Sequence, residues 1–204
     1  MKIKHHFMEE SNTLGLFKDT KKFVDFKKKL LKLSNFLPKE NPKKWGRKVN
    51  FEDNKKLILG NGFELFCELF VLHMGFHPHI GLANYQPVAA EDDDGIDAFA
   101  YNLNNELSAV QCKFVSEPDF EFTANGSNLP NFLVEATIKD IKWTEDTRIR
   151  RAFLITTAKG LHYSAIEKWH NRVAVINGNC IKQLVDNNTI FWNSCAGCLE
   201  EENG

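Results

Sequence analysis

Asp97, Gln111 and Lys113 are the residues whose types and spacing point most directly to chemistry. Two apolar runs, 96–101 and 107–114, flank Asn102-Leu103-Asn104-Asn105-Glu106, the pattern of a β-hairpin with a loop of roughly three to five residues. If the turn centres on Asn104, antiparallel pairing sets residues whose numbers sum to 208 opposite one another. Asp97 then faces Gln111, and Asn102 faces Glu106. Side chains alternate along a strand, so Lys113 shares the face of Gln111 while Cys112 points the other way. Opposed Cβ atoms lie roughly 4.5–5.5 Å apart, and a slip of one residue would disperse the cluster. An acid, a second oxygen donor and a lysine on one patch suit a hard divalent cation such as Mg2+, which needs few protein carboxylates when substrate phosphate completes its shell. Such a metal activates water and offsets charge on a phosphate, and a nearby ammonium adds to both effects. Phosphodiester hydrolysis is the reaction these residues fit.

Other elements must position that hairpin. From Thr20 onward, Phe23, Phe26, Leu30, Leu33 and Leu37 recur at helical spacing, with Lys21, Lys22, Lys27, Lys28, Lys29 and Lys32 largely off the stripe. Pro38 ends this helix. Residues 1–19 read as irregular, and 38–50, with two Pro, one Gly and five Lys or Arg, as a linker. A helix at 61–75 is apolar almost all round and therefore buried, its exceptions being Glu64 and Glu68 on one face. The stretch with Pro78, Gly81 and Pro87 reads as irregular, and 118–128 as a long polar connection. Ser127 is placed to cap a helix at 129–143. A buried strand at 151–157, a helix at 161–171, a strand at 173–176 and a last helix at 179–187 follow, with the tail beyond Cys198 frayed. A hairpin followed by βα units implies an α/β fold, a mixed β-sheet flanked by helices on both faces.

Asp97 with Gln111-Cys112-Lys113 resembles the PD-(D/E)xK nuclease signature, in a D…QxK form. GFE at 62–64, GID at 95–97, AVQCKF at 109–114, LITTAKG at 154–160 and VAVING at 173–178 fall in the order seen in Mrr-like restriction endonuclease domains. The resemblance covers about residues 60–190. It implies a restriction-endonuclease-like fold over 51–204 behind a basic helical N-terminal extension, 1–50, and a Mg2+-dependent DNA endonuclease in which Mn2+ can substitute. Asp97 would be the principal metal ligand, joined by the Gln111 side-chain oxygen and the Cys112 backbone carbonyl. Lys113 would position or activate the water, and Glu64 would complete the metal shell. Position 111 departs from the larger superfamily, which has Glu or Asp there, and this shifts weight to Asp97 and Glu64. The resemblance further implies action on DNA as a homodimer or as a subunit of a larger DNA-processing system, inside a bacterial or phage-infected cell. Within the class, a Holliday-junction or other structure-selective nuclease is the alternative; outside it, a DNA-binding module with an inactive core.

Charge is unevenly spread. Residues 1–50 hold 13 Lys and one Arg against five acids, a net +9, whereas the rest holds 12 bases against 22 acids, a net −10. A basic arm on an acidic body points to a polyanion partner. Lys43, Lys44, Arg47 and Lys48 around Trp45 form the first DNA-facing group, and Arg148, Arg150 and Arg151 a second, since such contacts carry sequence-independent affinity. Other combinations read as ordinary structure. Glu91 to Asp94 lacks the spacing of a calcium loop. Cys195 and Cys198 lack the second pair a zinc site needs. His73, His77 and His79 read as surface histidines, while Thr156 and Thr157 pack or cap the end of a strand. No P-loop, Rossmann glycine fingerprint or GxSxG elbow occurs. The odd cysteine count of five, the absence of a signal-like segment after Met1 and the lack of an apolar run of about 18 residues imply a reduced cytoplasmic protein with no membrane partner.

Overall fold

The computed structural model describes residues 10–36, 51–88, 95–117, 119–125, 132, 151–169 and 172–201. The chain divides into two compact units, one comprising Met1–Phe66 with Lys182–Gly204, the other Cys67–Ile181.

The first unit is helical, with α1 (Glu10–Phe17), α2 (Phe23–Phe36), the first part of α3 (Phe51–Met74) and α6 (Thr189–Glu201). Its core is aromatic. Phe26 and Phe66 have ring centroids 4.7 Å apart, Phe17 and Phe26 5.4 Å, and Phe191 and Trp192 4.9 Å. Offset ring pairs of this kind add to the burial of their large apolar area. The α2 stripe is as the spacing predicts, with Phe23, Phe26 and Leu30 buried. The N-terminus of α2 takes its cap from far along the chain, as Phe23 N–H donates to Asp186 Oδ1 at 2.8 Å. A carboxylate there satisfies an end donor and complements the helix dipole.

Four expectations are corrected along these helices. Residues 10–17 form α1 rather than irregular chain, because Leu16 and Phe17 are almost wholly buried and tertiary packing sustains a helix too short to stand alone. The helix expected at 61–75 begins at Phe51 and runs through Gly60-Asn61-Gly62. Gly62 is required there, since a Cβ would come within 2.4 Å of Leu30 Cδ1. The expected frayed tail is helical to Glu201, capped by Asn188, whose Oδ1 accepts from Phe191 N–H at 3.0 Å, and held by buried Cys195 and Leu199. The α3 stretch Lys55–Met74, at mean hydropathy 1.4, is also long and apolar enough to cross a membrane by length and composition, which corrects the expectation that no such run exists. Half of its most apolar window is buried inside the protein, as in the core helix of a globular fold.

The second unit carries a five-stranded mixed sheet in the order β1-β2-β3-β5-β7, from β1 (Leu82–Pro87), β2 (Ala98–Asn102), β3 (Leu107–Lys113), β5 (Arg151–Thr156) and β7 (Val173–Ile176). β1, β2 and β3 form an antiparallel meander, and β5 and β7 add in parallel. A separate short parallel pair joins β4 (Glu121–Phe122) to β6 (Gly160–Leu161). Helix α4 (Tyr163–Trp169) supplies Ala165 and Trp169, which with Phe132 cover the face holding Ala109, Ala152 and Leu154. The opposite face is buried as well, through Ala98, Val110, Cys112, Phe153, Ile155 and Ile176. Helix α5 (Gly178–Val185) follows β7. The architecture is the predicted α/β one, a mixed sheet flanked by helices. β1, β4 and β6 are absent from the sequence reading. Pro87 argues against a strand in the interior of a sheet, but β1 is an edge strand, where proline is tolerated. The helix expected at 129–143 lies almost wholly outside the described residues.

Candidate metal and phosphodiester site

The hairpin register is set by its loop. Asn102 Oδ1 accepts from the N–H groups of Asn104 and Glu106, both at 2.9 Å, and Asn102 Nδ2 donates to Glu106 Oε2 at 2.8 Å. Asn105 takes the left-handed conformation at φ 59°, which asparagine tolerates. The resulting pairs, Tyr101 with Leu107, Ala100 with Ser108, Phe99 with Ala109 and Ala98 with Val110, all sum to 208 as the sequence predicts.

At Asp97 the regular ladder ends. Asp97 N–H donates to Val110 O at 3.0 Å, the residue already paired with Ala98, so two residues of one strand oppose one of the other. This is a β-bulge, a device that re-aims a side chain. The direct Asp97–Gln111 opposition expected from strict alternation is thereby modified. Asp97 Oδ2 instead accepts from Cys112 N–H at 2.5 Å, which pins the carboxylate beside the Gln111-Cys112-Lys113 backbone.

Gln111 is 1% exposed. Its Nε2 donates to Gly95 O at 3.0 Å, and because only the amide nitrogen can donate, the oxygen must face away from Gly95. That oxygen, Oε1, is buried and has no hydrogen-bond partner among the described residues. Gly95 has φ 91°, a backbone conformation that side chains other than glycine rarely adopt, so the turn that leads into Asp97 favours glycine. Lys113 is half-buried and follows Gln111 on the same face. Its carbonyl accepts from Thr156 Oγ1 at 2.7 Å, while the Thr157 hydroxyl bridges the Val115 backbone, accepting from N–H at 2.6 Å and donating to O at 2.7 Å. Thr156 and Thr157 thus tie the end of β3 to β5, the packing role predicted for them.

The structure seats the Asp97 carboxylate on the Cys112 backbone N–H and ties the Gln111 amide to Gly95 O, two residues before Asp97, with Lys113 next along β3. Glu64 is half-buried on α3, in the helical unit. Glu68, one helical turn on from Glu64, is the buried one of the two, 2% exposed, and belongs to the sheet unit. Lys43, Lys44, Arg47, Lys48, Arg148 and Arg150 lie outside the described residues, as does the 91–94 acidic run. Arg151 is exposed at the start of β5, its guanidinium 5.9 Å from the centre of the Phe153 ring.

A carboxylate with a further oxygen is the kind of donor set that a hard cation such as Mg2+ or Mn2+ takes. A buried amide oxygen left without a donor costs about 1–3 kcal/mol unless something supplies the missing partner. Among the described residues no group of three or more His, Cys, Asp and Glu side chains is placed to hold a metal. His77 and His79 stack with ring centroids 5.2 Å apart, and His73 is half-buried, its pKa lowered by that burial. All five cysteines are free. Cys195, buried within α6, has its thiol pushed far up by desolvation, which makes it a poor nucleophile or ligand.

No family model matches the chain, and no curated protein matches it. Among solved structures it is similar to part of an ATP-dependent Type ISP restriction-modification enzyme, LlaBIII, bound to DNA. The TM-score is 0.39 and the identity 18%, over 58% of this chain and 7% of the other. This chain therefore spans a small fraction of that enzyme's length, and an overlap of that extent carries no argument about what the chain does.

Proposed function

We propose that the sheet unit is the catalytic core of a metal-dependent DNA endonuclease of the PD-(D/E)xK type, similar to Mrr-like restriction endonuclease domains. The observation that carries this reading is the buried Gln111 Oε1, with no donor among the described residues and next in sequence to the backbone that holds the Asp97 carboxylate. A Mg2+ ion bound there would lower the pKa of a water and offset charge on the scissile phosphate. The chain's own residues do the rest. Asp97 offers a carboxylate fixed by Cys112 N–H, and Gln111 offers an amide oxygen fixed by Gly95 O, with the Cys112 carbonyl beside them. Lys113 orients the water and places an ammonium near the phosphate. Lys43, Lys44, Arg47, Lys48, Arg148, Arg150 and Arg151 are assigned to the DNA backbone, and a homodimer would supply the two centres that cutting both strands needs.

The test is conversion of supercoiled plasmid to nicked or linear form with Mg2+, with Mn2+ and with EDTA. Cleavage that requires metal and falls at least about 100-fold in both Asp97→Ala and Lys113→Ala is the expected result. Branched DNA in place of plasmid separates the structure-selective reading.

A second reading is a DNA-binding module with an inactive core. It is favoured by the neutral Gln111 and by the lack of a cluster of three or more classical ligand side chains among the described residues. DNA binding that persists without any metal-dependent cleavage would select it.

A further inference from the structure

Cys112 lies between the two side chains assigned to the metal and the phosphate, yet its own side chain points to the opposite face of the sheet. There its Sγ is 3.3 Å from Tyr85 Oη. Tyr85 sits on β1, two strands away from β3 in the sheet order, so its ring must cross β2 to make this contact. Three features allow it.

The first is a second bulge. Ala83 pairs with Tyr101 and Gln86 with Phe99, so Asn84 and Tyr85 together oppose Ala100. Plain alternation from buried Leu82 would bury Asn84 and expose Tyr85. The structure has the reverse, with Asn84 exposed and Tyr85 8% exposed. The second is the residue that makes the bulge. Asn84 has φ 51°, a left-handed conformation that asparagine adopts at little cost. The third is the floor beneath the ring. Ala98 shares a face with Val110, and Val110 with Cys112, so Ala98 and Ala100 are the β2 side chains under Tyr85. Both are buried, and both are small enough to let a phenol lie across the strand.

We infer that Tyr85 is a positioning residue for Asp97, acting through Cys112. The phenol holds the Cys112 side chain on the buried face, and the Cys112 backbone N–H in turn holds Asp97 Oδ2. Supporting contacts behind a ligand set its orientation and its affinity for metal. This inference rests on the reading of Asp97 as a metal ligand.

The experiment is a calorimetric titration of the full chain with Mn2+ alone, paired with thermal unfolding of the metal-free protein. Tyr85→Phe is expected to weaken Mn2+ binding about three- to ten-fold, the scale of one lost neutral hydrogen bond or supporting contact. Cys112→Ser keeps a group that can pair with the phenol and is expected to bind Mn2+ within about two-fold of wild type, whereas Cys112→Ala is expected to weaken it as Tyr85→Phe does. Should Tyr85→Phe fold poorly, the Ser and Ala variants of Cys112 carry the comparison. A lower melting temperature in Tyr85→Phe and Cys112→Ala with wild-type Mn2+ affinity would mean packing alone and overturns the proposal. If Asp97→Ala also binds Mn2+ as wild type does, the metal reading fails with it; if only Asp97→Ala weakens binding, the positioning role fails alone.

Discussion

The helical unit and the sheet unit are built on different principles. The first is held by overlapping aromatic contacts: Phe66 alone packs against Phe23, Phe26, Phe63, Phe191 and Trp192. In the second, the candidate site is pinned by hydrogen bonds along one strand end, among them Cys112 N–H to Asp97 and Gln111 Nε2 to Gly95. An aromatic core yields stability and tolerates adjustment. A polar site strung along one register depends on that register, and it keeps a buried acceptor with no donor among the described residues, a cost that stability by itself would remove.

Substitutions should separate the two. Phe26→Ala, at a fully buried ring, is expected to cost about 3–5 kcal/mol in denaturant unfolding. A loss under about 1 kcal/mol would show that the cluster collapses around the gap. Gly178→Ala comes next. A Cβ there would meet Thr157 O at 2.5 Å, and Thr157 clamps the end of β3 through Val115. A cost of about 1–3 kcal/mol is expected from the forced backbone shift, with metal binding weakened as the clamp moves. Unchanged metal binding in that variant would confine the clamp to a structural role.

Gln111→Met sharpens the contrast. It removes the unpaired Oε1 along with the bond to Gly95 O, at similar volume. Metal-free stability is expected to stay within about 1 kcal/mol of wild type, because the two losses oppose each other. A drop of several kcal/mol would mean that the amide is already satisfied without metal.

The smallest effect concerns pH. Burial lowers the pKa of His73, so the folded state takes up its proton less readily than the unfolded chain. The unfolded state then binds more protons as pH falls below the ordinary histidine value, and stability is lost in the acid direction. Thermal unfolding between pH 7.5 and 5 should show a smaller slope in His73→Gln than in wild type, and equal slopes would remove His73 as a contributor.

Much of the sheet was legible because its signals are local. The run from 107 to 113, the Asn-rich loop and period-two alternation fix the β2–β3 register, and 151–156 and 173–176 stand out as apolar runs. What escaped depends on contacts distant in sequence. α1 is too short to announce itself and exists because Leu16 and Phe17 are buried. The start of α3 hides behind Gly60 and Gly62, which read as breakers, although Gly62 is there to admit Leu30. β1 hides behind Pro87. The bulges at Asp97 and Asn84 are invisible to alternation because each is a departure from it, and each re-aims a side chain on which the site depends.

Calorimetric titration with Mn2+ of wild type, Asp97→Asn and Gln111→Met tests the central claim most directly. The account predicts saturable binding in wild type, loss of it in Asp97→Asn and at least about ten-fold weakening in Gln111→Met. Absence of binding in wild type, or equal binding in all three proteins, would contradict it.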